Sequence, residues 1–329
     1  MKKKIALVTG GYSGEAQISY KSAVTIYNNL DKEKFEVYTI DVSPEGWHYE
    51  DEKGMKTAVN REDFTLSLNG SLVRFDAVYI GMHGTPGEDG KLQGYFDLLK
   101  IPYTSCDAAT SALTFNKRYT VAVAAMSGIH VARSVHLFKH WDYSVDGILA
   151  QVQLPVFVKP NNGGSSIGMS KVNQAGELQA ALDKAFNEDD QVLVEEMITG
   201  REFTIGAFRS GKEVTVLPIT EIQSQKEFFD FEAKYQGAST EITPADIPAH
   251  WKEQLESAVK KIYEVFNCRG VVRIDFIYDA EQNKPYMLEI NTIPGQTEAS
   301  VIPQQVRAMG WNLKDFYSAL VEEALQRPA

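Results

Sequence analysis

The sequence predicts an α/β fold built around an open parallel sheet. Three observations carry this. Short apolar strands alternate with amphipathic helical stretches, two early strands end in glycine-rich turns, and a late pair of strands gathers charged side chains on one face. Strands separated by helices pair in parallel through crossovers, and ligands collect beyond the carboxyl ends of such strands.

The first strand is read at 4–9, ending in Gly10-Gly11, with an amphipathic helix at 17–30. Further strands are expected at 35–41 and 77–80, the latter ending in Gly81-Met82-His83-Gly84. The stretch 81–94 carries five glycines and Pro86 and reads as loop, and 108–116 reads as a linker-like change. Beyond it come a helix, a strand at 156–159, a glycine loop, a helix and a strand at 192–195. A long loop is expected over 221–243, a helix over 250–266, two strands within 271–291 and a terminal helix from Leu313. There is no internal repeat and no low-complexity tract. With 329 residues, and roughly 150 residues per domain, two or three domains are expected.

Composition narrows the function. The apolar fraction of 43% and charged fraction of 23% are those of a folded chain. A net charge of −11 argues against nucleic acid and anionic membrane as partners, although small anions need only a few placed cations. Cys106 and Cys268 are the only cysteines, too few for a disulfide framework or a zinc knuckle. The lysines at the start resemble a signal peptide, but the apolar run stops at Thr9, short of the roughly 7–15 residues export requires. A cytoplasmic location is expected.

Three motifs carry chemistry. Gly10-Gly11-Tyr12-Ser13-Gly14 follows a strand but departs from the dinucleotide spacing, and Asp41 lies too far on to serve as its ribose acid. Glu15, directly after it, would repel a phosphate and suits an ammonium group, or else complements a helix dipole. The second motif runs from Lys159 through Asn161-Asn162-Gly163-Gly164-Ser165-Ser166 to Gly168. Backbone N–H groups and serine hydroxyls there can wrap phosphate oxygens, but Met169 occupies the Walker lysine position, so a hairpin tip covering phosphates is expected instead.

The third and strongest is Arg273-Ile274-Asp275 with Glu289-Ile290-Asn291. Folding the hairpin with Asp279 opposite Pro285 sets Asp275 against Glu289 and Arg273 against Asn291, with all four side chains on one face. Two carboxylates and an amide oxygen call for a cation between them, and oxygen donors favour Mg²⁺ or Mn²⁺. The rival reading is a strand surface on which Arg273 simply pairs an acid. His136 and His140 have helical metal spacing but no third ligand, and read as solvated helix residues.

These motifs, in this order, resemble the ATP-grasp superfamily and, over the whole chain, its D-alanine–D-alanine ligase family. The matching segments are 10–15, His83-Gly84 with Gly87-Glu88-Asp89-Gly90, 159–170, Glu232-Ala233-Lys234-Tyr235 and 289–295. Ala16 and Glu298 depart from common family residues. The resemblance implies an ATP-grasp fold behind an N-terminal Rossmann-like domain, divided 1–112, 113–209 and 210–329. It implies joining of two D-alanines through an acyl phosphate, for peptidoglycan precursor synthesis, by a homodimer using ATP and two Mg²⁺, with Mn²⁺ as an alternative.

Carried over residue by residue, Lys117 and Lys159 would hold ATP phosphates and Lys234 would reach the γ-phosphate. Glu195 and the backbone of Glu196 to Ile198 would meet adenine, and Glu202 the ribose. Asp275, Glu289 and Asn291 would hold the metals. Glu15 would bind the first D-alanine, with His83 beside it; Arg273 and the Gly295 N–H would hold the oxyanion; Ser300 would bind the second substrate. Glu15, Ser165 and Tyr235 would form a latch, and Tyr235 would favour a dipeptide over a D-lactate ester. Two rivals remain: a nicotinamide dehydrogenase, which has no use for the acidic hairpin, and a non-catalytic nucleotide sensor.

Overall fold

The computed structural model describes residues 1–164, 167–224 and 239–327. Strand β1 (Lys3–Gly10) is an inner strand of the first sheet, with Ile5 to Val8 fully buried. Helix α1 (Ala16–Asn29) packs on it and leads to β2 (Phe35–Ser43). Four short strands follow: β3 (Gly46–Glu50), β4 (Lys56–Asn60), β5 (Thr65–Leu68) and β6 (Ser71–Val73). With β7 (Ala77–Ile80) they make a seven-stranded sheet in the order β6-β5-β4-β3-β2-β1-β7. Only β2, β1 and β7 are parallel; the rest is an antiparallel meander, so the expected all-parallel sheet is corrected to a mixed one. The meander strands are short and mostly half-exposed, so they lack a buried run that would mark them.

Two corrections fall in the next segment. Helix α2 (Lys91–Leu99) takes the end of the expected loop, and the expected linker is helix α3 (Ala108–Phe115). Asp107 starts α3 by accepting the Thr110 N–H at 2.9 Å, which satisfies an otherwise orphaned donor. Helix α4 (Lys117–Met126) begins at once, capped by Asn116.

A four-stranded sheet comes next. It is built from β8 (Ser134–Phe138), β9 (Val156–Pro160), β10 (Ser170–Val172) and β11 (Gln191–Glu196), in the order β10-β9-β11-β8. Helices α5 (Val145–Leu149) and α6 (Leu178–Phe186) contribute to the core on one of its faces. His136 lies on β8 and His140 in the turn after it, so neither is a helix residue; alternating Val135 and Leu137 are the buried strand positions.

The last sheet holds β12 (Arg201–Ser210), β13 (Glu213–Val216), β14 (Thr220–Ser224), β15 (Ser239–Ile242), β16 (Val272–Asp279) and β17 (Lys284–Asn291). The expected loop at 221–243 therefore begins and ends in paired strands, with Glu221 opposite Ile242. Helix α7 (Ala249–Val265) covers this sheet through Leu255, Val259 and Ile262. Helix α8 (Val301–Ala308), not foreseen, precedes α9 (Leu313–Leu325).

One core joins the first sheet to the chain's end. Ile5, Leu7 and Tyr79 pack in the same cluster as Phe208, Phe316, Tyr317 and Leu320. Each such side chain contributes about 2 kcal/mol on burial, so the first sheet and the last are held as one body. Tyr79 of β7 and Ser22 of α1 both hydrogen-bond Gln296, which holds this unit against the turn after β17. Among the described residues no helix is long and apolar enough to cross a membrane.

Candidate active site

A cavity of about 300 Å³ opens between the four-stranded sheet and the β16–β17 hairpin. Strand alternation builds its upper wall. Val156, Val158, Val192 and Val194 face the core, so Phe157, Lys159, Leu193 and Glu195 face the cavity. Lys159 Nζ donates to Glu195 Oε1 at 2.5 Å, with the side chains only 17% and 8% exposed. Ile198 and Glu202 line the cavity further along. Glu196 also lines it, while its carboxylate accepts the Gln153 N–H at 2.8 Å. The N–H groups of Glu196 and Met197 donate to the Arg133 and Pro155 carbonyls.

Lys117 enters from the first turn of α4, and its Nζ donates to the Gly163 carbonyl at 2.8 Å. The β9–β10 hairpin has the expected antiparallel form. Its tip reaches the first sheet: a Cβ built on Gly164 would sit 3.2 Å from Glu15 Oε1. Ser165 lies outside the described residues, as do Lys234 and Tyr235.

The hairpin at the cavity floor brings Asp275 opposite Glu289 and Arg273 opposite Asn291, as expected. Its turn corrects the expectation: Asp279 faces Lys284, not Pro285, and a bulge between Asp275 and Phe276 restores the pairing beyond it. Arg273 donates to Asp275 through Nε at 2.9 Å and Nη2 at 2.8 Å, and lies 3.9 Å from Glu289. Thr204 donates to the same Asp275 carboxylate. Burial works against the Arg273 charge, but Asp275, Glu289 and Glu88 outweigh it and hold the guanidinium well above its usual range. So part of the expected acid repulsion is met by Arg273.

The donor set still fits a cation. Asn291 Oδ1 is buried with no hydrogen-bond partner, two residues from Glu289 on the same strand face. Both Glu289 and Asn291 line a smaller cavity of about 70 Å³ that also touches Lys117 and Glu88. An acceptor left unsatisfied there costs about 1–3 kcal/mol, which a bound cation would recover.

The first sheet's unit lies beside the smaller cavity, which Glu88 lines. Glu15 caps α1, and Gly84 approaches it with φ +67; a Cβ on Gly84 would lie 2.6 Å from Glu15 Oε2. Only glycine fits there. His83 is buried. Its Nε2 lies 3.0 Å from Ser22 Oγ, and its ring also hydrogen-bonds the Ile293 backbone. Burial, aided by Arg273 and opposed by Ile293, pushes the imidazole down to about 4.

Gly295 and Ser300 sit together in the turn after β17. Ser300 Oγ accepts the Thr297 N–H at 3.1 Å and lies 2.9 Å from where a Gly295 Cβ would be. The neighbouring Glu298 pairs with Arg307.

Four residues escaped the sequence reading of roles. Glu88, half-buried, accepts the Gly84 N–H at 2.8 Å and lies among the charges of Glu15, Arg273 and Glu289. Burial and then Glu15 push its carboxyl up to about 8, against the pull of Gly84 and Arg273. Its place in Gly87-Glu88-Asp89-Gly90, an acid pair between glycines, was the available signal. Ser19, Ser22 and Gln296, all buried, were missed too. A buried serine pair on α1, three residues apart, was their signal.

Two sheets closing on a cavity, a lysine from each of two elements and an oxygen-donor hairpin beneath define a ligase of the ATP-grasp class. Residues 4–106 match the family model described as D-ala D-ala ligase N-terminus, and residues 117–322 match D-ala D-ala ligase C-terminus. The chain belongs to the D-alanine–D-alanine ligase family. It is 44% identical to a D-alanine–D-alanine ligase of Parabacteroides distasonis, over 99% of this chain and 98% of that one. Among solved structures, the VanG D-Ala:D-Ser ligase of Enterococcus faecalis superposes with a TM-score of 0.88, at 30% identity, covering 98% of this chain and all of that one (100%). A Bacillus anthracis D-alanine–D-alanine ligase complexed with ATP gives 0.79 at 27% identity, covering 98% of each chain.

Proposed function

We propose that this chain joins two D-alanines to D-alanyl-D-alanine at the expense of ATP, for peptidoglycan precursor synthesis. The observation that carries this is the meeting of three elements: the Glu15 wall, the lysine-lined cavity and the Arg273–Asp275–Glu289–Asn291 floor. ATP lies in the larger cavity, its base toward Glu195, Glu196 and Ile198 and its ribose toward Glu202. Its phosphates run toward Lys117 and Lys159, with Lys234 at the γ-phosphate. Binding of phosphate exchanges the Lys159–Glu195 pair for a stronger charge on Lys159.

Glu15 holds the first D-alanine by its ammonium group, beside His83. The substrate carboxylate attacks the γ-phosphorus, ADP leaves, and an acyl phosphate remains. The amine of the second D-alanine, held through Ser300, attacks the acyl carbon. Arg273 and the Gly295 N–H face the oxygen on which charge develops, in a site already charged and ordered before reaction. Phosphate then leaves. Asp275, Glu289 and Asn291 would hold Mg²⁺, with Mn²⁺ as an alternative, which supplies charge neutralisation to the phosphates. Glu15, Ser165 and Tyr235 close the hairpin tip over the site and keep water from the acyl phosphate.

The proposed division is 1–112, 113–209 and 210–329, although β12 (Arg201–Ser210), which precedes the last boundary, pairs in the last sheet. A cytoplasmic homodimer without nucleic-acid or membrane partners completes the reading. Product analysis tests it. With ATP, Mg²⁺ and an equal mixture of D-alanine, D-serine and D-lactate, mass spectrometry should find D-alanyl-D-alanine as the main product. A predominance of the mixed D-serine dipeptide or the D-lactate ester would overturn the acceptor assignment. Tyr235→Phe should shift the product mixture toward the ester, and an unchanged mixture would remove Tyr235 from the latch.

A further inference from the structure

Helix α1 carries more than Glu15. Glu15, Ser19 and Ser22 fall at i, i+4 and i+7, one stripe of the helix. Both serines are almost fully buried, at 0% and 1% exposure, where a core-facing stripe ordinarily holds apolar residues. Buried hydroxyls need partners; beyond a 3.4 Å bond from Ser19 Oγ to the Glu15 carbonyl, the partners here lie on two other elements.

Ser19 Oγ accepts the His83 N–H at 2.9 Å. Ser22 Oγ accepts the Gln296 N–H at 3.3 Å and lies 3.0 Å from His83 Nε2. The His83 ring also bonds the Ile293 backbone. Ser22 thus joins the 293–296 turn, through the Gln296 N–H, to His83 in the loop after β7. Tyr79, on β7, adds a second tie by donating its hydroxyl to Gln296 Oε1 at 2.8 Å.

We propose that Ser22 is a positioning residue: through His83 and the Gln296 N–H it clasps the Gly295 turn to the helix that presents Glu15. The inference rests on the function proposed above. There Glu15 anchors the first substrate's ammonium group and Gly295 faces the oxyanion, so the acyl carbon must sit between them. One helix fixes both ends of that span. Loss of the clasp frees the turn to shift, and a displacement of about 1 Å at a reacting centre can cost about 100-fold in rate.

The test compares wild type, Ser22→Ala and Ser22→Thr, measuring ADP and D-alanyl-D-alanine in the same reactions. Ser22→Ala should lower dipeptide turnover 10- to 100-fold with the KM for ATP unchanged within twofold. Its ADP should exceed dipeptide, because water replaces the misplaced amine at the acyl carbon and releases D-alanine and phosphate. Ser22→Thr keeps the hydroxyl and should restore stoichiometric coupling. Tyr79→Phe removes the second tie without touching α1 and should give a smaller loss of the same kind, which keeps the test open if Ser22→Ala does not fold. Wild-type turnover and coupling in Ser22→Ala would overturn the proposal. So would a loss in which dipeptide, ADP and ATP affinity fall together, as a general packing defect produces. Absence of D-alanine-dependent ADP release in the wild type would instead sink the underlying reading, and this inference with it.

Discussion

His83 makes the stability of this protein depend on pH in a calculable way. Its imidazole, pushed down to about 4 from an ordinary value of 6.5, refuses a proton that the unfolded chain accepts. A depressed histidine contributes stability that is present above pH 6.5 and is lost as the pH falls through 4. At 1.36 kcal/mol per pH unit, the two units between pH 6.5 and 4.5 remove roughly 2–3 kcal/mol. The physical cause is burial: a cation there would sit out of water, near Arg273, with Ser22 Oγ and the Ile293 backbone as its ring partners. Urea unfolding of wild type and His83→Gln at pH 7.5 and 4.5 measures the effect. Wild type should lose roughly 2–3 kcal/mol more than the variant over that interval. Equal losses in the two proteins would refute the reasoning.

Other substitutions probe other parts of the account. Lys159→Met leaves Glu195 buried without its cation and should cost about 2 kcal/mol in urea unfolding, a value reduced from a fully buried pair for Lys159's residual exposure; adding Glu195→Leu should recover most of it. Gly270 has φ +60, and a Cβ there would overlap the Thr104 carbonyl, so Gly270→Ala should cost about 3 kcal/mol or more by the same measurement. Glu289→Gln should lower turnover about 100-fold and raise the Mg²⁺ concentration for half-maximal rate; a normal Mg²⁺ titration would remove Glu289 from the metal site.

The parts of the fold that the sequence made legible are those where burial imposes a period. Strands β1 and β7, helix α7 and the β16–β17 hairpin have continuous or alternating apolar runs, and each lies where expected. The meander of β3 to β6 and strand β8 were missed because their side chains are largely half-exposed, and half-exposed strands mix polar with apolar residues. Helix α3 was read as linker because Ala108 to Phe115 lacks an apolar stripe; its cap at Asp107 was the overlooked signal.

The site tells the same story. Asp275 and Glu289 were paired correctly although the turn was off by one, since a single bulged residue leaves no mark in composition. Glu88 gained its raised carboxyl from tertiary desolvation and from the nearby Glu15, a residue far off in the chain. The serine stripe of α1 is meaningful only once Gln296, more than 270 residues on, is known to meet it.

The central claim is that the cavity, the Glu15 wall and the acidic hairpin together ligate D-alanine. ADP release, coupled to a reporter, from the full chain with ATP and Mg²⁺ tests it most directly, comparing D-alanine with L-alanine. Release should depend on D-alanine, with L-alanine near the background. Equal release with both, or none with D-alanine, would contradict it.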